Sequence, residues 1–118
     1  MHFAAAFGQT DVIAALARAG ANPNLKASIG GKAPVHLALE SRKAASVVTA
    51  LGKARANMDA KMDNGDTLLH ATVETGNVQL INMLASSSSI NKNAKDAQGN
   101  TPLHRAVTLN DAASIAVL

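Results

Sequence analysis

Residues 99–107 have the sequence Gly-Asn-Thr-Pro-Leu-His-Arg-Ala-Val, and this stretch decides the fold. Its histidine is the last of four that follow one another at intervals of 34 residues: His2, His36, His70 and His104. The residue before each histidine is apolar, and the residue two positions after it is small. Five positions before the last three histidines stands a glycine: Gly31, Gly65 and Gly99. A chance spacing of one residue type would not carry its neighbours along, so the chain is built of internal repeats.

Each repeat is predicted to begin with a short helix. In the last repeat this helix starts at Thr101, a good N-cap residue, and Pro102, whose missing N–H costs nothing in the first turn. Earlier repeats keep one of the two features, the cap at Thr67 or the proline at Pro34. A residue that tolerates a left-handed conformation stands six positions after the histidine in three repeats and is expected to end the helix: Gly8, Gly76 and Asn110.

A second helix in each repeat is predicted from apolar residues spaced i, i+1 and i+4, which lie on one side of a helix. The sets are Val12, Ile13 and Leu16; Val47, Val48 and Leu51; Leu80, Ile81 and Leu84; and, after Ser114 in the first position, Ile115 and Leu118. Helices this short are unstable alone, so we expect stacking between repeats to stabilise them.

These residues resemble the ankyrin repeat, whose signature is Thr-Pro-Leu-His-x-Ala with a period of about 33 residues. Residues 99–106 match the signature, residues 93–99 look like the family's connecting loop, and residues 20–24 resemble the end of its second helix. The resemblance implies an all-α ankyrin-repeat solenoid, with helix-turn-helix units joined by hairpin-like loops in one array over residues 1–118. The implied units are approximately 1–27, truncated at its start, then 28–61 and 62–95, and finally 96–118, truncated at its end. Adding complete flanking repeats should therefore raise the melting temperature.

The spacing of 34 places one extra residue in each unit, and all three additions are predicted in loops, where added length costs little. In the first unit the extra residue falls between Asn24 and Gly31. In the second it falls near Arg42–Ala45, in a turn with neither glycine nor asparagine at its sixth position. That turn is expected to reverse the chain without a left-handed residue. In the third unit the addition lies between Leu84 and Asn93, around the serine run at 86–89.

The four histidines are predicted to be structural. Equivalent positions of stacked helices lie at least ~8–10 Å apart, whereas zinc requires nitrogen ligands at ~2.0–2.1 Å. The chain also contains no cysteine. We therefore expect buried imidazoles that bond to the backbone and to threonine hydroxyls at each repeat junction, with no metal, no cofactor and no catalytic set. The signature residues assigned to this structural role are His2, His36, His70, His104, Gly31, Gly65, Gly99, Thr67, Thr101 and Pro102.

Charge and hydropathy argue against other classes of partner. The net charge is only +3 and no run of like charges occurs, which disfavours nucleic acid. The longest apolar stretches, such as 12–17, are too short to cross a bilayer. The N-terminus lacks the basic region of a signal peptide, so an intracellular location is expected.

The resemblance to ankyrin repeats implies a non-enzymatic scaffold that binds another protein on a concave face made of hairpin tips and first helices. Residues at the corresponding hairpin and first-helix positions differ in chemistry from unit to unit, as expected for a surface that does not pack against the rest of the fold. The implied partner-binding residues are Phe7, Ile29, Lys32, Glu40, Ser41, Asp63, Asn64, Asp66, Glu74, Thr75, Gln98, Asn100, Thr108 and Leu109. The acidic bias of the third unit predicts a partner segment with some positive charge.

Four alternatives remain open at the level of sequence. The chain is alternatively a substrate-docking or targeting segment of a larger enzyme or effector. A basic cluster is the alternative binding site, for an acidic partner or a phosphate surface: Arg42, Lys43, Lys53 and Arg55. The serine run is either a solvated linker or a regulatory site. Thr67 and Thr101 are either helix caps or phosphoacceptors, with capping favoured.

Overall fold

The computed structural model describes residues 1–27, 30–88, 90–109 and 112–118, with the backbone alone for residues 113, 114 and 117. The α-helices are α1 (His2–Ala6), α2 (Thr10–Arg18), α3 (Pro34–Leu37), α4 (Ala44–Lys53), α5 (Leu68–Thr75), α6 (Val78–Ala85), α7 (Pro102–Thr108) and α8 (Ala112–Val117). A 3₁₀ helix, Ala38–Glu40, continues α3. No strand occurs in the described residues. The prediction of an all-α solenoid of paired helices is confirmed, and the molecule measures 42 × 26 × 23 Å.

The first helix of each of the last three units begins where the sequence predicts. Thr67 caps α5, because its hydroxyl accepts the backbone N–H of His70 at 3.4 Å. Thr101 caps α7 in the same way, with the N–H of His104 at 3.3 Å. In both caps the histidine Nδ1 accepts the backbone N–H of the threonine, so hydroxyl and imidazole satisfy donors that the helix leaves free. At the start of α3 the cap position is Ala33, which has no hydroxyl. Its backbone N–H still donates to Nδ1 of His36, so only the histidine part of the cap forms.

The turns between the first and second helices of the units have two different conformations. Gly76 ends α5 with φ +70°, and Gly8 follows α1 with φ +71°, so both adopt the left-handed conformation expected of them. In the second unit the 3₁₀ helix leads to an extended Ser41, whose hydroxyl accepts the N–H of Lys43 at 2.9 Å. The longer turn therefore reverses the chain without a left-handed residue, as predicted. Asn110 lies outside the described residues.

The hydrophobic core takes apolar side chains from both the first and the second helices of the units. The predicted apolar sets of α4 and α6 are buried completely. In α2 Ile13 is buried but Val12 is exposed, and Ile115 on α8 is exposed as well. Val47, at the equivalent position of the second unit, is buried. The apolar pattern alone therefore does not decide burial.

Hairpin-like turns connect the units and stack on one another. Each is closed by a backbone hydrogen bond, from Met62 N–H to the Asp66 carbonyl at 2.9 Å and from Asp96 N–H to the Asn100 carbonyl at 2.9 Å. At Gly65, where φ is +85°, a Cβ would collide with the backbone nitrogen of Ala97 in the next hairpin. The glycine column thus allows successive hairpins to approach closely.

Candidate functional site

Three of the four signature histidines bond through Nε2 to a carbonyl later in the chain, and two of these carbonyls lie in the following unit. Nε2–H donates to a carbonyl of the following unit from His2 to Lys32 at 2.9 Å and from His70 to Asn100 at 2.8 Å. His36 does the same to Ala60 at 2.7 Å, at the end of its own unit. In His36 and His70, which are buried, Nδ1 is also occupied by the cap of its helix. With both nitrogens engaged in backbone contacts, these side chains are structural.

The expectation of a buried imidazole is wrong at His104. Its Nδ1 lies 2.7 Å from the Thr101 hydroxyl and completes the cap, yet the side chain is exposed. Among the described residues no carbonyl accepts from its Nε2. The local motif therefore forms the cap without burying the imidazole.

Burial lowers the pKa of His36, and the nearby charges of Lys26 and Lys32 lower it further, although the hydrogen bond to Ala60 opposes them. A histidine whose pKa is lower in the folded protein stabilises the fold above its unfolded pKa of about 6.5, and this stability is lost as the pH falls. We expect the urea midpoint to decrease from about pH 7 to about pH 5. The variant His36→Gln should show a flatter profile over this range. Equal slopes for the two proteins would contradict the assignment to His36.

An ion cluster at the junction of the third and fourth units was not predicted from the sequence. Arg105 binds both carboxylate oxygens of Asp66 at 2.8 Å and one oxygen of Asp96 at 2.7 Å. Glu74 approaches its Nε at 3.5 Å. Asp96 also accepts the N–H groups of Gln98 and Asn100, and these bonds together with Arg105 hold its pKa below the usual range. The same carboxylates raise the pKa of Arg105.

Three members of this cluster, Asp66, Glu74 and Arg105, line a groove of about 350 Å³ between the hairpins and first helices of two units. The structure here brings together half of the predicted partner-binding residues, from both units: Asn64, Asp66, Glu74, Gln98, Asn100, Thr108 and Leu109. Among the described residues that line the groove, Arg105 is the one that the sequence analysis did not single out. Arg105 occupies the variable position of the motif, which is Phe3, Leu37 or Ala71 in the other units. A charged residue at a position that is apolar in every other unit was the sequence signal that could have identified it.

Other predicted binding residues lie apart from this groove. Phe7, Glu40 and Ser41 line a pocket of about 360 Å³ together with Arg42 and Lys43. Thr75 shares an adjoining pocket with the same two cations. Lys32 and Asp63 line neither, and Ile29 lies outside the described residues.

The predicted basic cluster is divided by the structure. Arg42 and Lys43 precede α4 and lie beside the predicted concave residues. Lys53 ends α4, about 15 Å further along the helix axis, and lines a groove of about 600 Å³ between α2 and α4 together with Arg18. Arg55 follows it. The four cations therefore do not form one site.

Two general features bear on the kinds of ligand. Within the described residues, no three histidine, aspartate or glutamate side chains are arranged to hold a metal ion. The helices in the described part of the chain are too short or too polar to cross a membrane.

Comparison with known proteins agrees with this architecture. The sequence model of a family described as ankyrin repeats (3 copies) matches residues 36–118, and that of a single ankyrin repeat matches residues 1–28. A search of curated proteins gave no match. Ankyrin repeats are generally protein–protein interaction modules and are typically non-catalytic. With repeat models matching most of its length and with paired helices stacked through their histidines, the chain belongs to the ankyrin-repeat family.

Proposed function

We propose that this chain is a non-catalytic scaffold that binds a protein partner along the concave face, where hairpin tips and first helices meet. The observation that carries the proposal is the groove at Arg105, because side chains from two units and from both kinds of element converge there. Several of them, including Glu74, Gln98 and Leu109, are exposed and are not needed in the core. A partner segment that crosses the repeats would contact them in succession.

The charges of the concave face favour a partner segment whose two ends differ in charge. Around Arg105 three carboxylates face one guanidinium, which leaves a net charge of −2. Glu74 is the most exposed of the three. At the second unit, Arg42 and Lys43 make the surface positive. A lysine or arginine of the partner is therefore expected over the third and fourth units, with acidic or neutral residues over the second.

Selection of binding peptides from a displayed library, with the chain immobilised as the target, would test this proposal. We expect enrichment of lysine and arginine, and a roughly tenfold loss of affinity in the double variant Asp63→Lys, Glu74→Lys, since rim charges contribute about 1 kcal/mol. Asp66 is kept, because it holds Arg105 with two bonds of 2.8 Å and its loss would confuse binding with stability. Glu74 approaches Arg105 only at 3.5 Å and is half exposed, so its replacement is expected to change stability little.

Asp11 provides the matched control, as an exposed carboxylate in the groove between α2 and α4. The variant Asp11→Lys should bind the selected peptides as the wild type does, and both variants should keep the melting temperature. Loss of binding in Asp11→Lys, with binding retained in the double variant, would place the partner on the opposite side of the array.

A further inference from the structure

The hairpin between the second and third units contains the chain's only asparagine that is followed by a glycine, Asn64-Gly65. Asn64 is exposed and lines the groove at Arg105. The amide carbon of an asparagine side chain can be attacked by the backbone nitrogen of the next residue, which closes a five-membered ring. A side chain on that next residue hinders the attack, and glycine has none. The sequence therefore makes Asn64 the most reactive of the asparagines in the chain.

The hairpin also prepares the side-chain amide of Asn64 for this attack. Its Oδ1 accepts the backbone N–H of Asp66 at 2.9 Å. When the amide carbon is attacked, negative charge develops on this same oxygen, and a donor that is already in place stabilises the charge. The donor is itself held in position, because the carboxylate of Asp66 is bound to Arg105 through two bonds of 2.8 Å.

One hydrogen bond of the hairpin opposes the attack. The N–H of Gly65 donates to the Met62 carbonyl at 2.9 Å, so the attacking nitrogen is released only when this turn opens. Asp63 and Asn64 at the tip are exposed and belong to no helix, and such segments open at a low cost in free energy. We therefore expect the attack to be slower in the folded chain than in the unfolded chain, but not to be abolished.

We propose that Asn64 is a site of spontaneous deamidation in the folded protein. The backbone nitrogen of Gly65 loses its proton and bonds to Cγ of Asn64, and the bond from Cγ to the side-chain nitrogen breaks. That nitrogen takes up the proton and leaves as ammonia. Water then opens the cyclic imide at either of its two carbonyl groups, which gives aspartate or isoaspartate. One water is consumed and one ammonia is released, and no atom is oxidised or reduced.

The modification changes the charge of the groove, and this consequence rests on the function proposed above. Either product places a carboxylate where the amide of Asn64 was, on the wall of the groove. Around Arg105 three carboxylates already face one guanidinium, so the net charge there changes from −2 to −3. A basic segment of the partner should therefore bind the modified protein more tightly than the new protein.

Peptide mapping by mass spectrometry, after prolonged incubation of the whole chain, tests the proposal. At mildly alkaline pH the Gly65 nitrogen loses its proton more readily, so we expect Asn64 to be converted faster than at neutral pH and before any other asparagine. Asn100 is the internal control, since it is exposed in the same groove but is followed by Thr101. A parallel sample unfolded in urea, which lacks the bond to Met62, should react faster still.

Two results of the mapping would refute the deamidation. In the first, Asn64 stays intact in the folded chain while the sample in urea loses it. In the second, Asn100 is converted as fast as Asn64, which would show that neither the glycine nor the bond from Asp66 directs the reaction.

The variant Asn64→Asp carries the charge of the product from the start and tests the consequence for binding. It should bind the selected basic peptides about threefold more tightly than the wild type. Asn82→Asp is the matched control, because it adds the same charge at an exposed position of α6 that does not line the groove, and its affinity should not change. Unchanged affinity in Asn64→Asp would overturn the proposed binding groove, whereas an intact Asn64 in the mapping overturns the deamidation alone.

Discussion

Replacing His70 with alanine is expected to lower the free energy of unfolding by about 3 kcal/mol. His70 is fully buried, and its ring fills the junction between the third and fourth units. Its loss leaves the N–H and hydroxyl of Thr67 without their acceptor and the Asn100 carbonyl without its donor. A buried polar group left without a partner costs about 1–3 kcal/mol, and the cavity adds to this. Urea unfolding followed by circular dichroism measures the difference.

His104 is the matched control, because it makes the same cap with Thr101 but is exposed and reaches no following unit. The variant His104→Ala should therefore lose less than about 1 kcal/mol, the usual contribution of an exposed cap. Equal losses for the two variants would show that burial and the bond to Asn100 contribute nothing to stability.

The second large effect is expected from Arg105→Ala, which should lower the melting temperature by roughly 5–10 °C. Removing the guanidinium leaves Asp66 and the buried Asp96 facing each other without a cation. Because the folded pKa of Asp96 is depressed, its contribution is present above the unfolded value and is lost as the pH falls below about 4. The difference between wild type and variant, measured by calorimetry, should therefore shrink at low pH.

Arg105→Lys and Arg42→Ala complete this test. A lysine keeps the charge but cannot bind both oxygens of Asp66, so an intermediate melting temperature is expected. Arg42 is exposed and makes no ion pair with the described residues, and its removal should have little effect. A drop for Arg42→Ala as large as that for Arg105→Ala would mean that overall charge, not the cluster, sets the stability.

Features governed by residues near in sequence could be predicted, and those governed by distant residues could not. The cap at Thr67, the left-handed Gly76 and the longer turn near Ser41 all depend on a few adjacent residues. The bond between Asp66 and Arg105 spans 39 positions and depends on side-chain direction, which the repeat pattern does not specify.

The exposure of His104 and the separation of the basic residues have the same origin. His104 shares its local motif with His70 but not its neighbouring unit, so the same cap forms without burial. Arg42 and Lys53 are near in sequence, yet the length of α4 separates them. In a repeat array, equivalence of position predicts local conformation, while exposure and proximity also depend on what stacks against each unit.

The bonds of His2, His36 and His70 to later carbonyls have a consequence for synthesis of the chain on the ribosome. The acceptor lies 30 residues after His2, 24 after His36 and 30 after His70. Each of these imidazoles therefore lacks its acceptor until the later residues have emerged, and the short helices gain their stacking only then. We expect each junction to close only after the residues that accept its histidine have been made.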